Sequence, residues 1–159
     1  MHKAIKVGLN FGLTSGVITT LGLMIGLSAG TNSKLAVIAG ILTIAIADAF
    51  SDAFGIHISQ EAANDISPKE IWAATVSTFF FKFIFALSFA IPVIIFSLNI
   101  ATLIAIVWGV ILITFVSFLI AKETHKKASH VIFEHLLISG IVIVIAHYIG
   151  VLINKIFLV

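Results

Sequence analysis

Cysteine does not occur among the 159 residues, so a disulfide, a thiolate metal site and a cysteine nucleophile are all excluded. The redox state of the surrounding compartment leaves no mark on such a chain. Arginine is missing too, since the nine residues of the Lys+Arg count are all lysines. All but one of these lysines are scattered at the ends of apolar stretches, so the net charge of +2 and the pI near 9.1 read as a topology signal and not as a nucleic-acid footprint. No nucleic-acid partner is expected. Charge of either sign is scarce, at 10% of residues, and there are only two prolines. Neither a nucleophile with a base nor a HExxH-type zinc motif is present, so no enzyme is expected.

What fills the chain instead is hydrocarbon-soluble side chain: 60% of residues are hydrophobic and the mean hydropathy is +1.23. This is the composition of an integral membrane protein. Five apolar segments, approximately 4–29, 35–61, 71–96, 100–121 and 131–157, each reach the roughly 20 residues that a helix needs to cross roughly 30 Å of hydrocarbon. Backbone groups in lipid must be paired internally, and the segments lack the short alternation of a barrel, so helices are predicted. The fold class is all-α: a polytopic protein with five transmembrane helices in one transmembrane domain, with no cofactor implied. The first segment runs on into the next and reads as a retained helix, not a cleaved signal.

Orientation follows from the lysines. Lys3, Lys6, Lys69, Lys122, Lys126 and Lys127 fall on one side, against Lys34 and Lys155 on the other. The excess predicts a cytoplasmic N-terminus, and a multi-pass protein of the cell membrane is expected. Pro68 suits a helix start, and Pro92 should kink the far end of the third segment. In the first segment Gly8, Gly12 and Gly16 form one small-residue ridge and Gly22, Gly26 and Gly30 another, rotated onto a different face. Two close-packing faces on one helix can be satisfied within the chain, or one of them by a second copy.

The charged residues inside these segments carry the chemistry. Asp48 and Asp52 lie one helical turn apart near the middle of the second segment. An ionised carboxylate at that depth costs about 2.5–3.5 kcal/mol on insertion scales, and two close together repel. A bound cation, a shared proton, a water path or a lysine has to offset this. Lys82, in "TFFFKFIFAL", is the internal cation, yet one lysine leaves a second carboxylate to be explained. Ser15, Thr19, Thr20 and Asn10 offer neutral oxygens that suit a hard cation beside carboxylates, although Ser and Thr often bond their own helix backbone. His147 reads as a packing histidine. At the ends of segments His57, Gln60 and Glu61, and the pair His130 and Glu134 one turn apart, form N/O sets that could capture a divalent metal.

Three stretches carry a family resemblance. "FGLTSGVITTLGLMIGLSAG" resembles the first helix of the vacuolar iron transporter family, which includes the calcium cross-complementer type of iron and manganese carriers. "AGILTIAIADAFSDAFGIHISQEA" is similar to its second helix, and "FEHLLISGIVIVIAHYIGVLI" to its last. The resemblance implies a homodimeric five-helix carrier that moves a divalent metal out of the cytosol, against protons, between the two subunits. Two positions depart from the pattern: Ser15 stands where the family's first helix is acidic, and Asp48 where its second helix has methionine. Asp52 falls where many members have glutamate or a small residue. The cytoplasmic metal-collecting insertion of plant and yeast-like members is also missing, with "ANDISPKE" in its place. Trading a thioether for a carboxylate shifts the site toward harder ions.

The expectation is therefore a divalent cation transporter of the iron and manganese type. Asp48, Asp52, Ser15, Thr19, Glu61, His130 and Glu134 are its candidate metal ligands, and the metal is its substrate. The competing reading is a non-transporting scaffold or partner subunit in which Lys82 and the aspartates form a structural ion-pair network.

Overall fold

Because no water is available in the hydrocarbon layer, each spanning segment closes its own backbone hydrogen bonds, and the chain can turn only where polar residues end a helix. The computed structural model describes residues 2–63 and 65–157 and follows this rule. Helix α1 covers His2–Thr31, α2 Lys34–Glu61, α3 Pro68–Ser88, α4 Ala90–Ile95, α5 Leu98–Glu123 and α6 Ala128–Phe157. No strand occurs among the described residues. Among the described residues five helical stretches are long and apolar enough to cross a membrane, with α3 and α4 together forming the third, Pro68–Ile95.

The turns use local chemistry that the sequence carries. Helix α1 stops at Asn32, whose φ of 46° is the left-handed conformation that Asn tolerates. Ser33 then caps α2 by accepting from the Ala36 N–H at 3.2 Å. Helix α3 begins with Pro68, and Glu70 reaches back to accept from the Ser67 hydroxyl at 2.8 Å. The kink expected from Pro92 is found as a break between α3 and α4 at Phe89. Pro92 has no N–H for the Ser88 carbonyl one turn earlier. The Ser88 hydroxyl turns to the Phe85 carbonyl at 2.6 Å and accepts from Trp108 Nε1 at 3.0 Å.

Helix α1 is the hub, packing against α2, α3, α5 and α6. Its two glycine ridges are both consumed inside the chain. A Cβ built on Gly12 falls 2.8 Å from the Thr78 carbonyl oxygen and 3.0 Å from the Lys82 backbone nitrogen, so the first ridge lies against α3. Built on Gly26 or Gly30 it falls 3.3 Å from the carbonyl oxygen of Ala146 or Gly150, so the second ridge lies against α6. Of the two ways to satisfy these faces, packing within the chain is the one observed, and the ridges give no support to a dimer built around α1.

The apolar core follows from the same hub. Leu13, Val17, Leu21 and Met24 of α1 meet Val37 and Ile41 of α2, Phe89, Val93 of α4 and Val116 of α5, all buried. Helix α2 contributes little beyond a narrow strip of Val37, Ile41, Ala45, Ala49 and Ala53. Its opposite side presents Ala39, Thr43, Ala47, Ser51, Gly55 and Ser59, one small residue per turn, every one exposed.

Candidate functional site

The site starts from the room that α1 leaves. Without side chains at Gly12 and Gly16, the α3 backbone comes close enough for Lys82 to lie directly on α1. A Cβ on Gly16 would sit 3.1 Å from the Lys82 carbonyl oxygen and 3.3 Å from its Cγ. Lys82 is the fifteenth residue of the 28-residue span from Pro68 to Ile95, and Asp48 the fifteenth of the 28 residues of α2. Both therefore lie at the middle of their spans, where charge is most expensive.

The lysine, 1% exposed, is held by three groups from two helices. Its Nζ lies 2.5 Å from Asp48 Oδ2 and forms a second ion pair with Asp52 Oδ2. It also donates to Ser15 Oγ at 2.9 Å, while the Ser15 hydroxyl donates to Asp52 Oδ2 at 2.6 Å. Ser15 thus spends its hydrogen on the carboxylate and a lone pair on the ammonium, closing a ring with Asp52 and Lys82. Asp48 has the weaker hold: Oδ2 is buried with no hydrogen bond, and its contact with Lys82 is ionic.

One ammonium against two carboxylates leaves one negative charge over. The aspartates also keep an open side, with side chains 30% and 21% exposed for Asp48 and Asp52. The ammonium approaches from the interior and the carboxylates open outward, so a further cation could reach them without passing the lysine.

Of the predicted ligands, Asp48, Asp52 and Ser15 are brought together, and Lys82 stands among them. Thr19 is one turn away, its hydroxyl bonded to the Ser15 carbonyl at 2.8 Å. That is the intrahelical bond a membrane threonine commonly makes. Glu61, His130 and Glu134 are exposed at helix ends. Among the described residues no three His, Asp or Glu side chains are grouped so that they could hold a metal ion. Glu61 at the end of α2 is therefore not grouped with His130 and Glu134 at the start of α6.

Sequence reasoning overlooked two histidine ties. His57 Nδ1 lies 2.9 Å from Thr75 Oγ1, and the Thr75 hydroxyl donates to the Ile71 carbonyl at 2.8 Å. The threonine's only hydrogen being spent, His57 Nδ1 is the donor, which joins α2 to α3. The His57 ring stands edge-on to Trp72 with centroids 4.7 Å apart. His135 Nδ1 meets Ser117 Oγ at 2.8 Å in the same manner, joining α6 to α5. Such pairs are separated by 18 residues, so only helix docking brings them together. His147 is exposed and edges Tyr148. A groove of about 360 Å³ between α2 and α3 is lined by Phe50, Phe54, Trp72, Phe79 and Phe80 with His57. It is aromatic and lies apart from the carboxylates.

No family model, curated protein or solved structure matches the chain. Nothing in these comparisons identifies the vacuolar iron transporter family.

Proposed function

We propose that the protein is a membrane transporter for a divalent cation of the iron or manganese type, exporting it from the cytosol with protons as the counterflow. Asp48 and Asp52 are the groups that replace part of its hydration shell, and Ser15 supplies a neutral oxygen. The observation that carries this reading is the uncompensated charge: two carboxylates at mid-span share one ammonium and keep an exposed side. A purely structural ion pair needs one acid per base. The surplus carboxylate costs stability unless a mobile cation or proton visits it. A two-fold homodimer belongs to this reading, because exposed carboxylates at that depth need a cover other than lipid, and the small-residue face of α2 flanks them.

The second reading, a scaffold or partner subunit, is favoured by one specific observation. Lys82 is fully enclosed and contacts both aspartates, as a structural network would. Flux of Fe²⁺, Mn²⁺, Co²⁺ and Ca²⁺ into liposomes holding the purified chain, with and without a pH gradient, decides between them. Metal-dependent flux above that of empty liposomes is expected, and silence for all four ions would leave the scaffold.

A further inference from the structure

We infer that Lys82 is the resident counterion of the cation-free carrier: its ammonium occupies the aspartate pair while no substrate is bound and yields when a divalent cation arrives. The inference rests on the transport reading. Its first support is charge. With the lysine in place the site carries two minus charges and one plus, so it is −1 when empty and +1 with a divalent ion. Without the lysine the same states are −2 and 0. Lys82 therefore levels the cost of the loaded and empty forms, and each can change conformation about as readily as the other. Removing it leaves a neutral loaded form and an empty form with two facing carboxylates, which repel each other and resist passage through the low-dielectric stage of the cycle.

The second support is the arrangement of space. The lysine comes from inside, at 1% exposure, and the carboxylates open outward. Ammonium and incoming cation thus approach the same two carboxylates from opposite sides. The lysine stem is unbranched and flexible, and its Cγ rests on the bare backbone of α1 at Gly16, 3.3 Å from where a Cβ would sit. The Ser15 oxygen, 2.9 Å from Nζ, comes from α1 and not from the acidic helix, so the ammonium is tied to the hub as well as to the carboxylates. A tethered ammonium is also a permanent competitor at high effective concentration, so the wild-type site is weaker for metal than the bare carboxylates would be.

The test uses the full chain in liposomes at equal alkaline pH on both sides, with Mn²⁺ as the probe. Net efflux is compared with exchange of labelled against unlabelled Mn²⁺. For Lys82→Met, net flux should fall at least about tenfold while exchange persists, since exchange never requires the empty form to cross, and the apparent Kd for Mn²⁺ should drop by about tenfold. Retained net flux, weaker Mn²⁺ binding or loss of exchange in a folded Lys82→Met protein overturns the counterion role while wild-type flux still upholds transport. A wild-type protein that neither binds nor moves Mn²⁺ sinks the transport reading and this inference with it. Should Lys82→Met fail to fold, Lys82→Met with Asp52→Asn restores the empty site to −1. This double variant should regain net flux with weaker binding, and a folded double variant carrying exchange alone overturns the proposal.

Discussion

At the residue scale the two aspartates are unequal in a way that spacing on a helix cannot reveal. Asp52 accepts from Ser15 and pairs with Lys82, whereas Asp48 has only the ionic contact and is the more exposed. Asp52→Asn should therefore act mainly on the fold, removing a charge-assisted hydrogen bond worth about 1.5–3 kcal/mol, visible as a lower melting temperature in detergent. Asp48→Asn should melt near the wild type but lose at least about tenfold in Mn²⁺ flux, the equivalent of about 1.4 kcal/mol of binding. A folded Asp48→Asn protein with undiminished flux for every ion tried would remove Asp48 from the site. That these acids needed an offset, with Lys82 as one candidate, was legible in the sequence, because isolated charges in an apolar run must find partners. What could not be read was the role of Ser15, whose hydroxyl has a local alternative in its own helix, the alternative that Thr19 takes. Nor could it be read that Glu61 does not join His130 and Glu134 in one group, since the ends of different helices can be placed together only once helix packing is known.

At the scale of the elements, hydropathy sufficed for the spans and proline for the break, because each is decided within one segment. Helix partners are decided between segments. The glycine ridges of α1 announced close approach on two faces without saying to what, and both faces turn out to be filled by α3 and α6. This changes the expected outcome of substitution. Gly12→Ala forces a methyl to 2.8 Å from a backbone oxygen of α3 and displaces the seat of Lys82, so it should lower the melting temperature and impair flux together. Overpacking of this kind costs about 1–3 kcal/mol. Gly140→Ala on α6, where a Cβ meets nothing within 4 Å, serves as the control and should be stable and active. Equal tolerance at the two glycines would show that the α1 and α3 backbones are not in contact.

For the whole molecule, sidedness and assembly remain to be set against experiment, and the lack of cysteine makes both accessible to single introduced thiols. The lysine excess predicts that the connection between α5 and α6 faces the cytoplasm. The ion pair of Lys6 with Glu123 places the start of α1 beside that connection. A thiol introduced by Ser129→Cys should then resist an impermeant reagent in intact cells and react after permeabilisation, and labelling from outside inverts the topology. Assembly turns on α2. Its face of Ala39, Thr43, Ala47, Ser51, Gly55 and Ser59 is exposed, a Cβ on Gly55 meets nothing within 4 Å, and the open carboxylates of Asp48 and Asp52 lie on the neighbouring strip. Small residues one turn apart let two such helices meet backbone to backbone. A two-fold axis through that contact brings the second copy's α2 over the exposed acids, which no lipid tail can solvate. Ser51→Cys should therefore give a disulfide-linked dimer under mild oxidation, its α-carbons coming within about 7 Å across the axis, whereas Ile141→Cys on the lipid side of α6 should not. Gly55→Leu should yield a folded monomer with reduced flux, since the acids lose their cover while α1, α3 and Lys82 are untouched. A wild-type chain that stays monomeric in gentle detergent and in liposomes, yet carries metal, would mean that the carboxylates are covered by water from within the single chain instead.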